Sequence, residues 1–407
     1  MVFRNIYVNN YLQQCKYYDI FNCKKEKYMC HKLNLELPKI SFDSNLVELI
    51  TKLEVLRHQI APLEIDIRLF AQVKQIFYMI ESLQSARIEG NRTTISDYVA
   101  SKFENKEDVD NIKEINNIEK AINYVNQCFL EDENFKISNK FIKELHYIIT
   151  NDLKAEGSKE SGRYRSCNVV INKADHIPPN PTAVPGFMEE LVDWINKTDK
   201  IQKQLLKIAI AHHAFTWIHP FDNGNGRMSR ILTYAILRQY GFDMAYLLNS
   251  TAVFCVNREK YFRMLKLADK NTNEGKLAWC EYVLNGLYNE ISKLSKLMNK
   301  QFFVGKIVKP AINRAYELHF INDEYKKILE LTLNKEDGTI KSKDIRTVIK
   351  DKTPRQISHT IGKMLDAELL QRSYSNNRIY ILNLMCKDLA TGIIDSLYRE
   401  QLINVEN

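Results

Sequence analysis

The sequence predicts an all-α protein that carries one small β-hairpin and ends in a separate winged helix-turn-helix. Three observations lead there. Apolar residues recur at helical stride over most of the stretch from about 44 to 300, as in Leu69, Val73, Ile76, Ile80 and Leu83. The 407 residues include 13 glycines and 9 prolines, few for an all-β chain of this length. From 323 onward, three short helical segments are followed by QRSYSNNRIYIL, two strand-like runs around a Ser-Asn-Asn turn.

Taken in order, residues 1–35 form a Tyr-, Lys-, Asn- and Cys-rich leader with no clear period and no assigned role. An N-terminal helical region follows over 36–105. Its long helical pattern ends at Glu89-Gly90-Asn91, where Gly90 suits the left-handed residue that closes a helix. Thr93 and Thr94 are placed to cap the next helix. A helical core spans 106–300, with helices near 109–128, 138–153, 184–196, 203–218 and 227–240, the last stopping at Gly241. GRYRSCNVVINKADHIPPNP (162–181) breaks the helical texture and reads as the hairpin, with its first arm at Asn168 to Asn172. Residues 301–322 are expected to be a linker, 323–385 the winged helix, and 386–407 a tail. In the winged helix, helices fall at 323–334 and 342–350. Thr353-Pro354 then supplies a cap and an N1 proline for a third helix.

Composition narrows the class. With 45% hydrophobic and 27% charged residues, the chain is that of a globular protein able to bury a core. Its net charge of +8 suits anionic partners such as nucleotides or nucleic acid. Eight cysteines, at 15, 23, 30, 128, 167, 255, 280 and 386, show no CxxC spacing. Free thiols in a reducing cytoplasm account for them better than a metal site at Cys23, Cys30 and His31. The first residues, MVFRNIYVNNYLQQ, lack a continuous apolar run, so no signal peptide is expected, and no window suggests a membrane span. The expected compartment is the cytoplasm.

The densest chemistry lies in HPFDNGNGRMSR (219–230), a polar stretch set between two apolar helical runs. Gly224 and Gly226 let the backbone turn tightly and approach a ligand. The helix expected to begin near Arg227 offers unpaired N–H groups and the positive end of its dipole, an anion site suited to phosphate. Arg227 and Arg230, three apart, can both reach toward that end and bind phosphate oxygens in bidentate fashion. His219 stands at the other lip as a general base. A base beside a polyphosphate cradle suggests transfer of a phosphorus group to a hydroxyl. His212 and His213, on the apolar run before the loop, read as packing or hydrogen-bonding residues.

This stretch resembles the signature of the Fic family, HPFx(D/E)GNGRxxR, through His219, Pro220, Phe221, Gly224, Asn225, Gly226, Arg227 and Arg230. The resemblance runs from about 36 to 300 and includes GRYR. It implies the Fic helical core and transfer of AMP from ATP to a Ser, Thr or Tyr hydroxyl of a target protein, with self-modification. It further implies that the 162–181 flap holds the target by strand addition and that His219 deprotonates the target hydroxyl. Phe221 would pack inward. Gly224, Asn225, Gly226 and Arg227 would cradle the phosphates, Arg230 would hold the γ-phosphate, and Mg²⁺ would bridge phosphate oxygens. The family's acidic metal ligand falls on Asn223, which offers a carbonyl oxygen without charge. Asp222, one step earlier, would point elsewhere.

SARIEGN (85–91) resembles the family's inhibitory motif, (S/T)xxxE(G/N). Ser85 and Glu89 share a helix face, and the resemblance implies that Glu89 pairs with Arg230 and occupies the γ-phosphate space. De-AMPylation or transfer of another phosphate-containing group by the same site is the alternative within the fold. A DNA-binding regulator with a nucleotide-sensing core is the alternative of another class. For the winged helix, contact with DNA through Arg355, His359 and Lys363, or contact with protein, stays open, as does homo-oligomerisation.

Overall fold

The structure, a computed structural model, describes residues 32–58, 65–104, 109–171, 174–242, 250–335, 338–373 and 376–403. Most of the leader, with Cys15, Cys23, Cys30 and His31, lies outside the described residues, as do parts of the expected hairpin (172–173) and of the Ser-Asn-Asn turn (374–375).

Helices α1 (Asn45–His58) and α2 (Ile67–Glu89) begin the helical body. The stride of α2 is realised, with Leu69, Val73, Ile76, Ile80 and Leu83 all buried. Burial also extends to Ser82, Gln84 and Ser85, so α2 runs through the interior. Asp66 caps its start by accepting from Arg68 N–H, and Gly90, at φ 112°, closes its end with its N–H on the Ala86 and Arg87 carbonyls. α3 (Ile95–Glu104) starts under Thr94, whose hydroxyl accepts from Asp97 N–H at 3.1 Å. α4 (Asp110–Glu131) packs on α2. It mixes Ile115, Ile118 and Ile122 with buried Glu114, Asn116, Asn117 and Glu119.

α5 (Asn139–Thr150), α6 (Val184–Asn196), α7 (Ile201–Ile218) and α8 (Asn225–Gln239) complete the frame of the loop. α8 touches α7, α5, α4 and α2 and is buried over nearly its whole surface. It begins two residues earlier than the sequence suggests, because Gly224, at φ 75°, makes the turn that starts it. α9 (Ala252–Cys255), α10 (Arg258–Asp269) and α11 (Asn273–Leu297) follow, and α11 lies against α1, α7 and α10.

The expected linker is helical. α12 (Lys300–Phe302) runs through a π-helical turn (Phe303–Val308) into α13 (Lys309–Glu317), and Phe303, Ile307, Val308 and Ile312 are buried. Beyond it come α14 (Asp323–Asn334), β1 (Thr339–Ile340), α15 (Ser342–Ile345), α16 (Pro354–Asp366), β2 (Leu370–Ser373) and β3 (Asn376–Leu382). The sheet is antiparallel in the order β1-β3-β2, with Ile340 opposite Tyr380 and Leu370 opposite Leu382. Two expectations differ here. The helix drawn over 342–350 stops at Ile345, and β1 adds a strand too short to leave a periodic signature.

The expected tail is mostly helix. α17 (Lys387–Arg399) buries Leu389, Ile393 and Leu397 against α13, with Gly392 in backbone contact at Ala311, and it also reaches α3. The C-terminal strands hold α2 directly as well. Gln72 donates its amide N–H to the Leu382 carbonyl at 2.9 Å and accepts from Leu384 N–H on its amide oxygen. No described helix is long and apolar enough to cross a membrane.

Candidate active site

The site is the joint between α7 and α8. α7 ends at His219, which takes a left-handed conformation (φ 50°) while its N–H still bonds the Phe215 carbonyl at 3.0 Å. Its Nδ1–H donates to the Thr216 carbonyl at 3.3 Å, which fixes the tautomer and leaves the Nε2 lone pair as the acceptor. Burial, with help from the nearby Arg165 charge, brings its pKa down to about 4, so the ring is neutral at physiological pH.

Phe221 is completely buried and stacks face to face on His146, ring centroids 3.7 Å apart. Asn225 closes the loop from within: its amide oxygen accepts from Phe221 N–H at 2.9 Å and its amide N–H donates to Phe221 O at 2.8 Å. That side chain is spent on the turn. Gly224 caps α8 without a side chain, which leaves the first backbone N–H groups of the helix open.

Both arginine side chains lie at the start of α8, Arg230 Nη1 3.3 Å from a Cβ placed on Gly226 and Arg227 Nη2 3.6 Å from one placed on Gly224, but Arg227 has partners of its own. It is fully buried, with Nη1 3.1 Å from Glu114 Oε1 and Nη2 donating to the Glu156 carbonyl at 2.8 Å. A buried carboxylate on α4 needs that counter-charge. Burial raises the pKa of Glu114 despite it.

Arg230 turns to α2 instead. Its Nε donates to Ser85 Oγ at 3.0 Å, and its Nη2 to the Ser85 carbonyl at 3.0 Å and to Glu89 Oε1 at 2.8 Å. Nη1, also buried, has no hydrogen-bond partner among the described residues. Burial works to raise the Glu89 carboxyl, but the Arg230 guanidinium outweighs it and holds the group below the usual carboxylate range. The carboxylate sits directly over the start of α8: a Cβ added to Gly226 would collide with Glu89 Oε1. Ser85, Glu89, His219, Gly226 and Arg230 are thus brought to one place.

The two residues at the expected metal position are both engaged within the protein. Asn223 spends its amide N–H on the Gly157 carbonyl (3.0 Å) and its amide oxygen on Gly224 N–H (2.7 Å). Asp222 accepts from Ser158 Oγ, Lys159 N–H and Asn223 N–H. No cluster of three or more His, Cys, Asp or Glu groups suited to a metal occurs among the described residues.

Residues 172 and 173 of the expected hairpin lie outside the described residues. The described residues of 162–181 include no strand, and Pro178 and Pro179 deprive one arm of ladder donors. What organises the segment is Arg165, which the sequence reading missed. Its backbone N–H bonds the Pro220 carbonyl at 2.9 Å, Nε the His219 carbonyl at 2.8 Å, Nη1 the Cys167 carbonyl at 3.0 Å and Nη2 the Pro179 carbonyl at 2.6 Å. One guanidinium thus ties the segment to the loop that carries His219. His176 adds a bond from Nε2–H to the Trp217 carbonyl at 2.8 Å.

His146 was also missed. Gly162 N–H donates to its Nδ1 at 3.0 Å, so Nε2 carries the proton and donates to the Asn223 carbonyl at 3.1 Å. Burial lowers its pKa to about 4. As pH falls below about 6.5, the unfolded chain binds a proton here that the folded chain refuses until about pH 4, so this group costs stability across that window. His146→Gln removes that dependence. The stability difference between wild type and variant should therefore shrink as pH drops from about 6.5 to 4, by up to about 1.4 kcal/mol per pH unit. Denaturant melts of both proteins across the range measure it. His212, by contrast, is a packing residue bonded to Thr233 and Tyr261, and His213 pairs with Asp269.

A model of the Fic/DOC family matches residues 136–237, the segment that holds α5 to α8 and the loop. Residues 136–237 are a Fic domain. The Fic domain and its surroundings are similar to the protein adenylyltransferase Fic of Nematostella vectensis, 32% identical over 172 residues, which cover 40% of this chain and 38% of that one. The counterpart from Drosophila willistoni is 28% identical over 205 residues, 49% of this chain and 38% of its own. The match therefore spans about four-tenths of the length of these relatives. Among solved structures, a Fic family protein from Desulfovibrio desulfuricans superposes with a TM-score of 0.54 at 21% identity, covering 85% of this chain and 98% of that one. A Fic protein fragment from C. elegans gives 0.50 at 20% identity, covering 62% and 72%. These likenesses establish the Fic fold.

Proposed function

We propose that the chain is a protein adenylyltransferase that moves AMP from ATP to a hydroxyl of a target protein and is restrained by Glu89. The observation that carries this reading is the placement of a neutral histidine, Nε2 free, beside an uncapped helix start whose nearest arginine holds a carboxylate in place of phosphate. His219 Nε2 takes the proton of the target hydroxyl as its oxygen attacks the α-phosphorus. The bond from that phosphorus to the bridging oxygen breaks, pyrophosphate leaves, and AMP stays esterified to the target. The open N–H groups of α8 stabilise the charge on the phosphates, and Arg230 Nη1 has capacity for one more anionic oxygen.

The target would lie along residues 162–181, fixed by Arg165. Val170 is 81% exposed and Ile177 67% exposed, large apolar side chains suited to a docked segment. Residues 168–171 have no ladder partner within the described chain, which supports their pairing with an extended target. The roles of Ser85 and Glu89 as a brake rest on their bonds to Arg230. The unit over 323–385 is proposed as a winged helix, from its three helices and antiparallel sheet.

Incubation with ATP labelled at the α- or the γ-phosphate tests the reading. Label from the α-position alone should become covalently attached to protein. Attachment of the γ-label would mean phosphoryl transfer and would overturn the assignment.

A further inference from the structure

We infer that the exposed face of α16 is a binding surface for double-stranded DNA, an activity separate from the proposed transfer reaction. Arg355, His359 and Lys363 are all exposed on α16 and recur every four residues, so they form one stripe along the helix. Two turns of helix set the ends of that stripe about 12 Å apart, and the major groove of B-DNA is about 12 Å wide. The stripe borders a groove of about 460 Å³ formed with the start of α14. The carboxylate in that groove, Glu324, is already engaged by Lys352 and by the Thr360 hydroxyl, and the exposed carboxylate on α16 itself, Asp366, sits at the far end of the stripe beyond Lys363. Arg372 and Arg378, exposed on the paired strands β2 and β3, extend the positive face beyond the helix.

The same face is poor in what protein partners use. Among the described residues from 323 to 382, no large apolar side chain is exposed. Protein interfaces are enriched in aromatic residues and Met, and their centres are depleted of charge. Phosphate recognition needs cations and tolerates an otherwise polar surface. The thirteen-residue α16 is also firmly started, by a reciprocal capping box between Thr353 and Gln356, which makes it a rigid rod for a groove.

The test is fluorescence anisotropy of a labelled mixed-sequence DNA duplex titrated with the full chain at salt concentrations between about 50 and 200 mM. Three proteins are compared: wild type, Arg355→Glu/Lys363→Glu, and a control with Lys136→Glu/Lys140→Glu, two exposed lysines elsewhere on the chain. Wild type should bind, with affinity falling linearly in log salt. The stripe variant should bind at least tenfold more weakly, with a salt slope shallower by about 2, and the control should match wild type closely. Circular dichroism melts establish that the variants are folded. Absence of wild-type binding at the lowest salt, equal binding by the stripe variant, or equal loss in the control would each overturn the inference. So would a stripe variant that alters molecular mass in gel filtration while the wild type binds no duplex, since the face would then be a contact between copies of the chain.

Discussion

Replacing Glu89 by glycine is expected to raise self-modification in the presence of ATP by roughly ten- to a hundredfold. Arg230 is buried and needs an anion, and in the structure that anion is the Glu89 carboxylate, 2.8 Å from Nη2 and lying over the open start of α8. On the proposed reading ATP would have to displace it to bring its phosphates to the same N–H groups. A charge-assisted bond of this kind contributes about 1.5–3 kcal/mol, the range that sets the expected gain. Glu89→Gln separates charge from shape: it keeps the side-chain volume at the end of α2 and should give a smaller gain. Adding Arg230→Ala to Glu89→Gly should erase the increase, because the freed guanidinium is then absent. Incorporation of α-labelled AMP into the four proteins decides it. A Glu89→Gly protein no more active than wild type at saturating ATP would end the proposal that Glu89 restrains the site.

His219→Ala should reduce transfer by about 10²–10⁴-fold while leaving ATP affinity nearly unchanged. On the proposed reading the phosphates would be held by backbone groups of α8 and by Arg230, whereas His219 would act on the incoming hydroxyl. Nδ1 is committed to the Thr216 carbonyl, so one nitrogen remains to accept a proton. Because burial lowers the pKa to about 4, the acid limb of the pH profile should fall near that value and not near 6.5: activity persists above it and is lost as pH falls through it. Single-turnover rates across pH, with ATP affinity measured separately by calorimetry, test both statements. Full transfer by the alanine variant would remove His219 from the mechanism.

Much of this was legible along the chain, and the pattern of what was not has a physical basis. Stride reports which face of a helix is buried, so α2, its Gly90 end and the Thr353-Pro354 start of α16 were visible. The loop was visible because turn residues, cations and a base crowd into twelve positions. His146 and Arg165 were not. His146 sits in an apolar helical run and reads as core, yet it bonds a carbonyl 77 positions away. Arg165 acts on the His219 carbonyl 54 positions away. Neither local propensity nor period encodes such meetings. Arg227 is a further case: spacing placed it at the start of α8, but not its buried partner Glu114 on α4. α17 carried a readable stride in Leu389, Ile393 and Leu397, which the expectation of a tail obscured.

The Gln72 amide gives the chain an unexpected economy of inheritance. Its two bonds run to the backbone at Leu382 and Leu384, so they ask nothing of the side chains there and accept any sequence that brings a strand end to that spot. A crossover between genes at the α13–α14 junction would hand the recipient a new C-terminal unit. That unit would inherit a grip on α2 only if its last strand ended in the same register. A strand one residue out of phase would turn those backbone groups to its other edge and leave the Gln72 amide without them. The reach of α2 toward the nucleotide cradle would then be set by a foreign register more than three hundred residues away in sequence from Gln72.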